Sequence, residues 1–240
     1  MPELSCRLCG SRELLSVVDL GATPACERFL TSDDLLSVER TYPLHLRLCE
    51  RCQLAQIPAL ITPADTFTEY AYYSSFSDSW VAHAGLFLAE AVVKASLGPD
   101  SFVVEVASND GYLLQHAVAR GIRCLGIEPS VNVGAAARDK GVPTRTEFLG
   151  AETAAAIRAE HGRAQLVVAN NVYAHIPDII DFTKGLRALL ADDGWLSIEV
   201  AHLKSLIEFN QYDTIYHEHF QYYTVASIRR ALSSAGLVVV

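Results

Sequence analysis

Positive charge is scarce in this 240-residue chain: 19 Lys and Arg stand against 28 Asp and Glu, a formal net charge of −9 at pH 7. No block of like charge concentrates the excess, so it is a spread acidic balance and not a tail. Sequence-independent nucleic-acid binding needs Lys and Arg facing phosphates, and this chain is a poor candidate for it. A charged substrate would have to be held by a few local cations or by helix N-termini. The opening residues, MPELSCRLCGSREL, lack an apolar signal core. Apolar runs such as Ala84 to Val93 are broken by charge and too short to cross a bilayer. Internal repeats and low-complexity segments are also lacking. These absences predict a cytoplasmic protein with neither membrane nor nucleic-acid partner. In that compartment paired cysteines are metal ligands more often than disulfides.

What is present divides by texture. Residues 1–60, rich in Cys and short turns, read as a zinc-binding module. Residues 61–97 read as a linker with a helical segment, since Trp80, Ala84, Phe87, Leu88, Ala91 and Val92 recur at helical spacing from Asp78 to Leu97. Residues 98–240 alternate short β-branched runs with helical patterns. Strands are expected at Phe102–Val106, Cys124–Ile127, Pro143–Arg145, Leu166–Ala169 and Trp195–Val200. Helices are expected at Tyr112–Arg120, Asn132–Lys140, Glu152–Glu160 and Asp178–Leu190. Such alternation predicts an α/β fold: a mainly parallel, Rossmann-like sheet with helices on both faces.

Two C-x-x-C pairs, Cys6/Cys9 and Cys49/Cys52, can each offer two thiolates from one tight turn. Together they make a closed four-sulfur zinc site, structural and not catalytic because no coordination position stays open. The interval between the pairs is longer than in common zinc ribbons. Arg7, Arg47 and Arg51 offset the thiolate charge. A thioredoxin-like use of one pair lacks its strand–helix context. Cys26 and Cys124 are expected to be small buried hydrophobes.

In open α/β sheets ligands bind beyond the carboxyl ends of the strands. Glu105-Val106-Ala107-Ser108-Asn109-Asp110-Gly111 occupies that position after the first core strand. A cofactor approaching the backbone favours small residues, which Ala107, Ser108 and Gly111 supply. Glu105 or Asp110 can accept hydrogen bonds from an ammonium or water, and Asn109 lies between them. Glu128 ends the next strand, where a carboxylate can accept both hydroxyls of a ribose. Asn170 and Asn171 end the third and can meet an adenine or a methionine moiety. This set predicts S-adenosylmethionine. A nicotinamide dinucleotide would need G-x-G-x-x-G, and the turn has one glycine. An α/β core without a cofactor is the third reading.

The densest chemistry comes late. Tyr212 to Tyr223 holds two imidazoles, one Glu carboxylate and four phenols. Histidine exchanges protons near neutral pH. If helical, the stretch puts Tyr216 and His219 on one face; if extended, His217 and His219 share one. His-Glu-His lacks the spacing of a metalloprotease helix. His175 follows the third strand, and Tyr70 and Tyr72 sit in an aromatic run.

In their order, these elements resemble the C-methyltransferases that act on nucleotide-linked 4-keto deoxysugars in bacterial sugar biosynthesis. The resemblance rests on the two Cys pairs, Tyr70-Ala71-Tyr72-Tyr73-Ser74-Ser75, the Glu105–Gly111 turn, Gly126-Ile127-Glu128-Pro129, Asn171 to Asp178 with His175, and Tyr216-His217-Glu218-His219. It implies a zinc-binding N-terminal domain, an S-adenosylmethionine-dependent core, a nucleotide-sugar substrate and a monomer. It implies that a proton beside the sugar ketone is removed and the enolate methylated. The base matches His219, and Tyr216, Tyr70, His175 and Glu218 match the other active-site positions. The family also carries a C-terminal α/β domain that helps hold the nucleotide sugar, and this chain is expected to lack it. Another S-adenosylmethionine methyltransferase, or a non-catalytic zinc-bearing protein, remains an alternative.

Overall fold

The computed structural model describes residues 4–27 and 29–240. In chain order the strands are β1 (Leu14–Thr23), β2 (Tyr42–Cys49), β3 (Ala55–Gln56), β4 (Phe102–Val106), β5 (Arg123–Ile127), β6 (Thr144–Arg145), β7 (Ala164–Asn170), β8 (Leu190–Glu199) and β9 (Gln221–Tyr222). The helices are α1 (Pro63–Phe67), α2 (Asp78–Lys94), α3 (Gln115–Val118), α4 (Val131–Asp139), α5 (Ala151–His161), α6 (Ile179–Leu189), α7 (Leu203–Glu208) and α8 (Val225–Ser233). Two compact units share the chain. One comprises the residues up to Thr66 with Tyr173–Ile180 and Val200–Val240; the other comprises Phe67–Val172 with Asp181–Glu199.

The first unit is built on a four-stranded sheet ordered β1-β2-β3-β9. Its first two strands form a long antiparallel hairpin from Leu14↔Cys49 to Thr23↔Tyr42. The last pairing is long-range in sequence: Ala55↔Tyr222 and Gln56↔Gln221. Leu44, Leu46, Ala55, Ile57 and Tyr222 form its apolar centre. Gln221 contributes through its side chain, whose Nε2 donates 2.7 Å bonds to the carbonyls of Tyr173 and Ile176. The sequence reading draws consecutive domains. The compact unit instead recruits two later segments, because a two-residue pairing leaves no periodic signature.

The second unit is a five-stranded parallel sheet ordered β6-β5-β4-β7-β8, with flanking helices. Chain order reverses at β4, which puts a topological switch point at its carboxyl end. All five residues of β4 are buried, as expected for a strand covered on both faces. Val103, Leu113, Leu114 and Leu88 pack in one apolar cluster with Trp80 and Phe87 from α2. Helix α2 starts on Ser77, whose hydroxyl accepts from the Trp80 N–H at 3.3 Å. It stops at Lys94, short of the expected Leu97, because Ser96 adopts a φ of +51° and the Leu97 N–H turns back to Val92. The expected helix over Tyr112–Arg120 contracts to Gln115–Val118, since its ends close through shorter turns such as His116 to Leu113 and Arg120 to Ala117.

Gly126 in β5 is where the sheet meets the turn after β4. A methyl group there would overlap the buried Ser108 hydroxyl, with Thr144 Oγ1 at 3.1 Å. Gly126→Ala is therefore expected to cost about 1–3 kcal/mol by overpacking. Ser108→Gly in the same chain should recover most of it. Chemical denaturation of the single and double variants reads the coupling, and additive losses would show that the two residues do not touch.

Candidate active site and metal centre

Four sulfurs gather at one end of the β1–β2 hairpin. Cys6 and Cys9 come from a tight turn closed by the Gly10 N–H on the Cys6 carbonyl at 2.8 Å. Cys49 and Cys52 come from the turn after β2, closed by the Gln53 N–H on Cys49 at 2.8 Å. All four Sγ atoms lie within 4.8 Å of one another, with Cys6–Cys52 at 3.4 Å and Cys9–Cys49 at 3.6 Å. A tetrahedral zinc–thiolate centre has sulfur–sulfur edges of about 3.8 Å. The donors thus fit a zinc ion in number, chemistry and spacing. None of the six cysteines is in a disulfide. Cys124 is buried as expected, and burial pushes its thiol up to about 11, with the charge of Glu105 adding to the rise. Cys26 departs from expectation: it is exposed, in the connection after β1 that follows Pro24.

The late histidine cluster folds as turns in the first unit. A 3-10 turn at Tyr212–Thr214 leads into a second turn in which the His219 N–H meets the Tyr216 carbonyl at 3.1 Å. The stretch is neither a helix nor an extended strand but a single hydrogen-bonded turn, and it brings the Tyr216 hydroxyl to 2.7 Å from His219 Nε2. His219 Nδ1 lies 3.1 Å from the Thr214 carbonyl. A carbonyl can only accept, so Nδ1 carries the proton and Nε2 presents its lone pair to the phenol. Burial lowers the His219 pKa, opposed by the Thr214 hydrogen bond. The His175 ring meets His219 edge-on at 4.8 Å, and its Nδ1 donates to the Glu218 carbonyl at 2.9 Å. Burial, then the neighbouring His219, pushes His175 down to about 3 against the pull of that carbonyl. Both imidazoles are consequently neutral at pH 7.

Two neighbours in the motif turn elsewhere. His217 is 3 % exposed and donates from Nε2 to the Tyr42 carbonyl at 3.0 Å. The Glu218 carboxylate accepts the Glu27 N–H at 3.2 Å, and its Oε2 is buried without a hydrogen bond. Sequence reasoning gave Arg7 only a charge-balancing part. In the structure its guanidinium donates to the carbonyls of Ile57 and Phe220, the latter at 2.9 Å. Its place inside the first C-x-x-C was the available signal.

In the second unit the turn after β4 has the expected position and an unexpected economy. Ala107, Asn109 and Gly111 take φ of +56°, +49° and +79°. Left-handed backbone costs Ala about 1–2 kcal/mol, and such outliers concentrate at functional sites. Glu128 receives the N–H groups of Asn109 and Ser130, each at 2.9 Å. Burial raises its pKa despite those bonds. Glu105 is 1 % exposed, and its carboxylate oxygens lack a well-formed hydrogen bond, with the Tyr112 hydroxyl nearby. Burial pushes it well above the usual carboxylate range; the Tyr112 hydroxyl pulls it down, and Glu128 and Asp110 push it further up. The buried Ser108 hydroxyl is likewise unpartnered. Orphaned acceptors beside a strained turn at the sheet's switch point fit a polar nucleoside cofactor.

The side chains of Asn109 and Asp110 look the other way, toward the aromatic run. Asn109 Oδ1 accepts the Ser74 N–H at 2.8 Å, and its Nδ2 donates to the Tyr72 carbonyl at 3.1 Å. Asp110 accepts from the Ser75 hydroxyl and from Lys140 Nζ at 2.7 Å. Asn171, with φ +53°, donates to Glu199 Oε1 at 2.7 Å, and Asn170 is half-buried at the end of β7. Tyr70 stands 5.2 Å from the Phe67 ring, its main chain held at both ends by Asn132. Tyr216, His219 and His175 are therefore brought into one cluster, whereas Tyr70 belongs to the second unit.

Two outcomes follow. Zinc should bind at one ion per chain, and Cys49→Ser should lose it together with the fold of the cysteine unit, read by metal analysis and circular dichroism. His175 is neutral in the fold, so from its ordinary 6.5 downward the unfolded chain takes up a proton that folded His175 refuses. Stability should fall as pH drops from about 6.5 toward 3, and the fall should be shallower in His175→Gln, measured by thermal unfolding across that range.

Comparison with known proteins agrees with this geometry. A family model described as a zinc binding domain matches residues 6–67, and one described as a methyltransferase domain matches residues 80–240. The C-methyltransferase NovU of Streptomyces niveus is 37% identical over 235 residues, 98% of this chain and 56% of that protein. The chain thus spans little more than half the length of that relative. Among solved structures, an S-adenosylmethionine-dependent methyltransferase from Archaeoglobus fulgidus superposes with a TM-score of 0.52 at 13% identity, over 65% of this chain and 68% of that one. The YcgJ protein of Bacillus subtilis gives 0.51 at 12% identity, over 65% and 69%. At such identities the likeness is one of fold. The chain belongs to the methyltransferase domain family, with S-adenosylmethionine as its cofactor and a zinc binding domain at its N-terminal end.

Proposed function

We propose that this chain takes part in C-methylation of a nucleotide-linked keto-deoxysugar, with His219 as the base that makes the enolate. The observation that carries the reading is the hydrogen bond from the Tyr216 hydroxyl to a neutral His219 Nε2. The 37% identity to a C-methyltransferase supports it. Bound S-adenosylmethionine supplies an electrophilic methyl group on a sulfonium; Glu128, Glu105 and the Ala107–Gly111 turn are the residues assigned to hold it.

The protein's own task is proton removal. A proton next to a ketone is too weakly acidic for an unassisted base at neutral pH, so the developing enolate charge needs nearby donors. His219 is set for that task because its Nδ1–H is fixed on Thr214 and its lone pair points out along Nε2. The substrate proton passes to the Tyr216 oxygen as the phenol proton moves to Nε2, which leaves an imidazolium still donating to Thr214. Burial keeps His219 unprotonated at neutral pH and makes it a weak but available base. His175 stays neutral, so it shapes the pocket around His219 and adds no positive charge. Glu218 is assigned a positioning part, its carbonyl holding His175 and its carboxylate holding Glu27. The substrate is small, the unit acts as a monomer, and the work is cytoplasmic.

Exchange of the substrate's α-proton in D2O, with S-adenosylhomocysteine in the cofactor site and a thymidine-diphosphate 4-keto-deoxysugar as probe, tests the reading. His219→Gln should slow exchange by about 10²–10⁴-fold while S-adenosylhomocysteine binds as before. Because the His219 pKa is lowered, the acid limb of the wild-type exchange profile should lie below the ordinary histidine value of 6.5. Wild-type exchange in the variant would remove His219 from the chemistry. Exchange absent from the wild type would point to another methylation.

A further inference from the structure

We propose that Arg7, between the two cysteines of the first knuckle, is a positioning residue that couples the zinc centre to His219. The inference rests on the reading of His219 as the base, and all of its parts lie within the first unit.

The knuckle is clipped to β3 at two points. The Arg7 N–H donates to Gln56 Oε1 at 3.1 Å, and Gln56 Nε2 donates back to the Ser5 carbonyl at 3.1 Å. From this base the guanidinium spans two carbonyls on different strands of chain, Ile57 and Phe220. The Phe220 carbonyl also accepts the Ile57 N–H at 3.0 Å, while the Phe220 N–H donates to the Ala174 carbonyl at 2.8 Å. Both hydrogen-bonding groups of the residue after His219 are thereby occupied. One leads to the zinc knuckle through Arg7, the other to the residue before His175.

An arginine is suited to this place for a geometric reason. Its planar fork reaches two acceptors at fixed angles, which a single ammonium cannot do. The side chain is also closed in by the Phe220 ring, whose centroid lies 5.7 Å from the guanidinium carbon. Its charge lies next to Cys6, and four thiolates around one zinc ion leave net negative charge there. Filling the metal site therefore favours the cation where it already sits. Without Arg7, Phe220 keeps only the two-residue β3–β9 pairing and the Ile57 bond to define its carbonyl, and the Tyr216–Nε2 alignment loosens.

Arg7→Ala and Arg7→Lys in the whole chain test this. Zinc content and S-adenosylhomocysteine binding by calorimetry should match the wild type. Long-range nitrogen-15 NMR on histidine-labelled protein should show a fixed Nδ1–H tautomer for His219 in the wild type, assigned by its loss in His219→Gln. That signature should average out in Arg7→Ala and return in part in Arg7→Lys. α-Proton exchange should fall by about a hundredfold in kcat with KM unchanged, the size expected for a misplaced reacting group. A wild-type tautomer signature in Arg7→Ala overturns the proposal. Should that variant not fold, a full wild-type signature in Arg7→Lys overturns it equally, and a partial one supports it. The base reading fails separately: unchanged exchange in His219→Gln removes the catalytic role and leaves the tautomer comparison standing.

Discussion

The first unit depends on one short contact, the pairing of Ala55 and Gln56 with Tyr222 and Gln221. A small cysteine-bearing hairpin has little apolar surface to bury, and modules of this size rely on a metal or on borrowed chain for stability. This one fits both. The returning strand supplies Tyr222 to the hairpin's apolar centre, and it carries His219, Phe220 and Gln221 in with it. Closing so long a loop costs chain entropy, although the cost grows only slowly with length. The side-chain bonds of Gln56, Gln221 and Arg7 help to offset it. The histidine cluster is consequently part of the same folding problem as the cysteine knuckles.

The second unit meets a different constraint. Its ligand turn must let a cofactor reach the backbone, a need many nucleotide-binding turns meet with several glycines. Here one glycine serves, at Gly111, and Ala107 and Asn109 take positive φ beside it. The strain is tolerated because Asn109 is fixed at its backbone N–H by Glu128 and at its side-chain amide by Ser74 and Tyr72. Asp110, itself buried, adds an ion pair with the exposed Lys140, whose Nζ also reaches the Ser75 hydroxyl.

The sequence made the sheet legible because its strands are short, apolar and β-branched, and the helices between them carry the other period. The order of chemistry along the chain was legible too, since C-x-x-C and Tyr-His-Glu-His are dense in groups that seldom cluster by accident. Three features were not. The β3–β9 pairing involves two residues on each side and no repeating pattern. The side chains of Asn109 and Asp110 point to 72–75, in a turn where Ala107, Asn109 and Gly111 take positive φ, which composition does not encode. Cys26 is exposed in the irregular connection after β1, where no periodic pattern tells a buried thiol from an exposed one.

Asn109 links two surfaces that look independent along the chain. Its backbone N–H and its side-chain amide belong to one residue in the left-handed region, so a group that competes for the Glu128 carboxylate acts on the same residue that holds Tyr72 and Ser74. Such a linkage is reciprocal by thermodynamic necessity. Whatever steadies the tyrosine-rich stretch must alter, by the same factor, the affinity of whatever occupies Glu128.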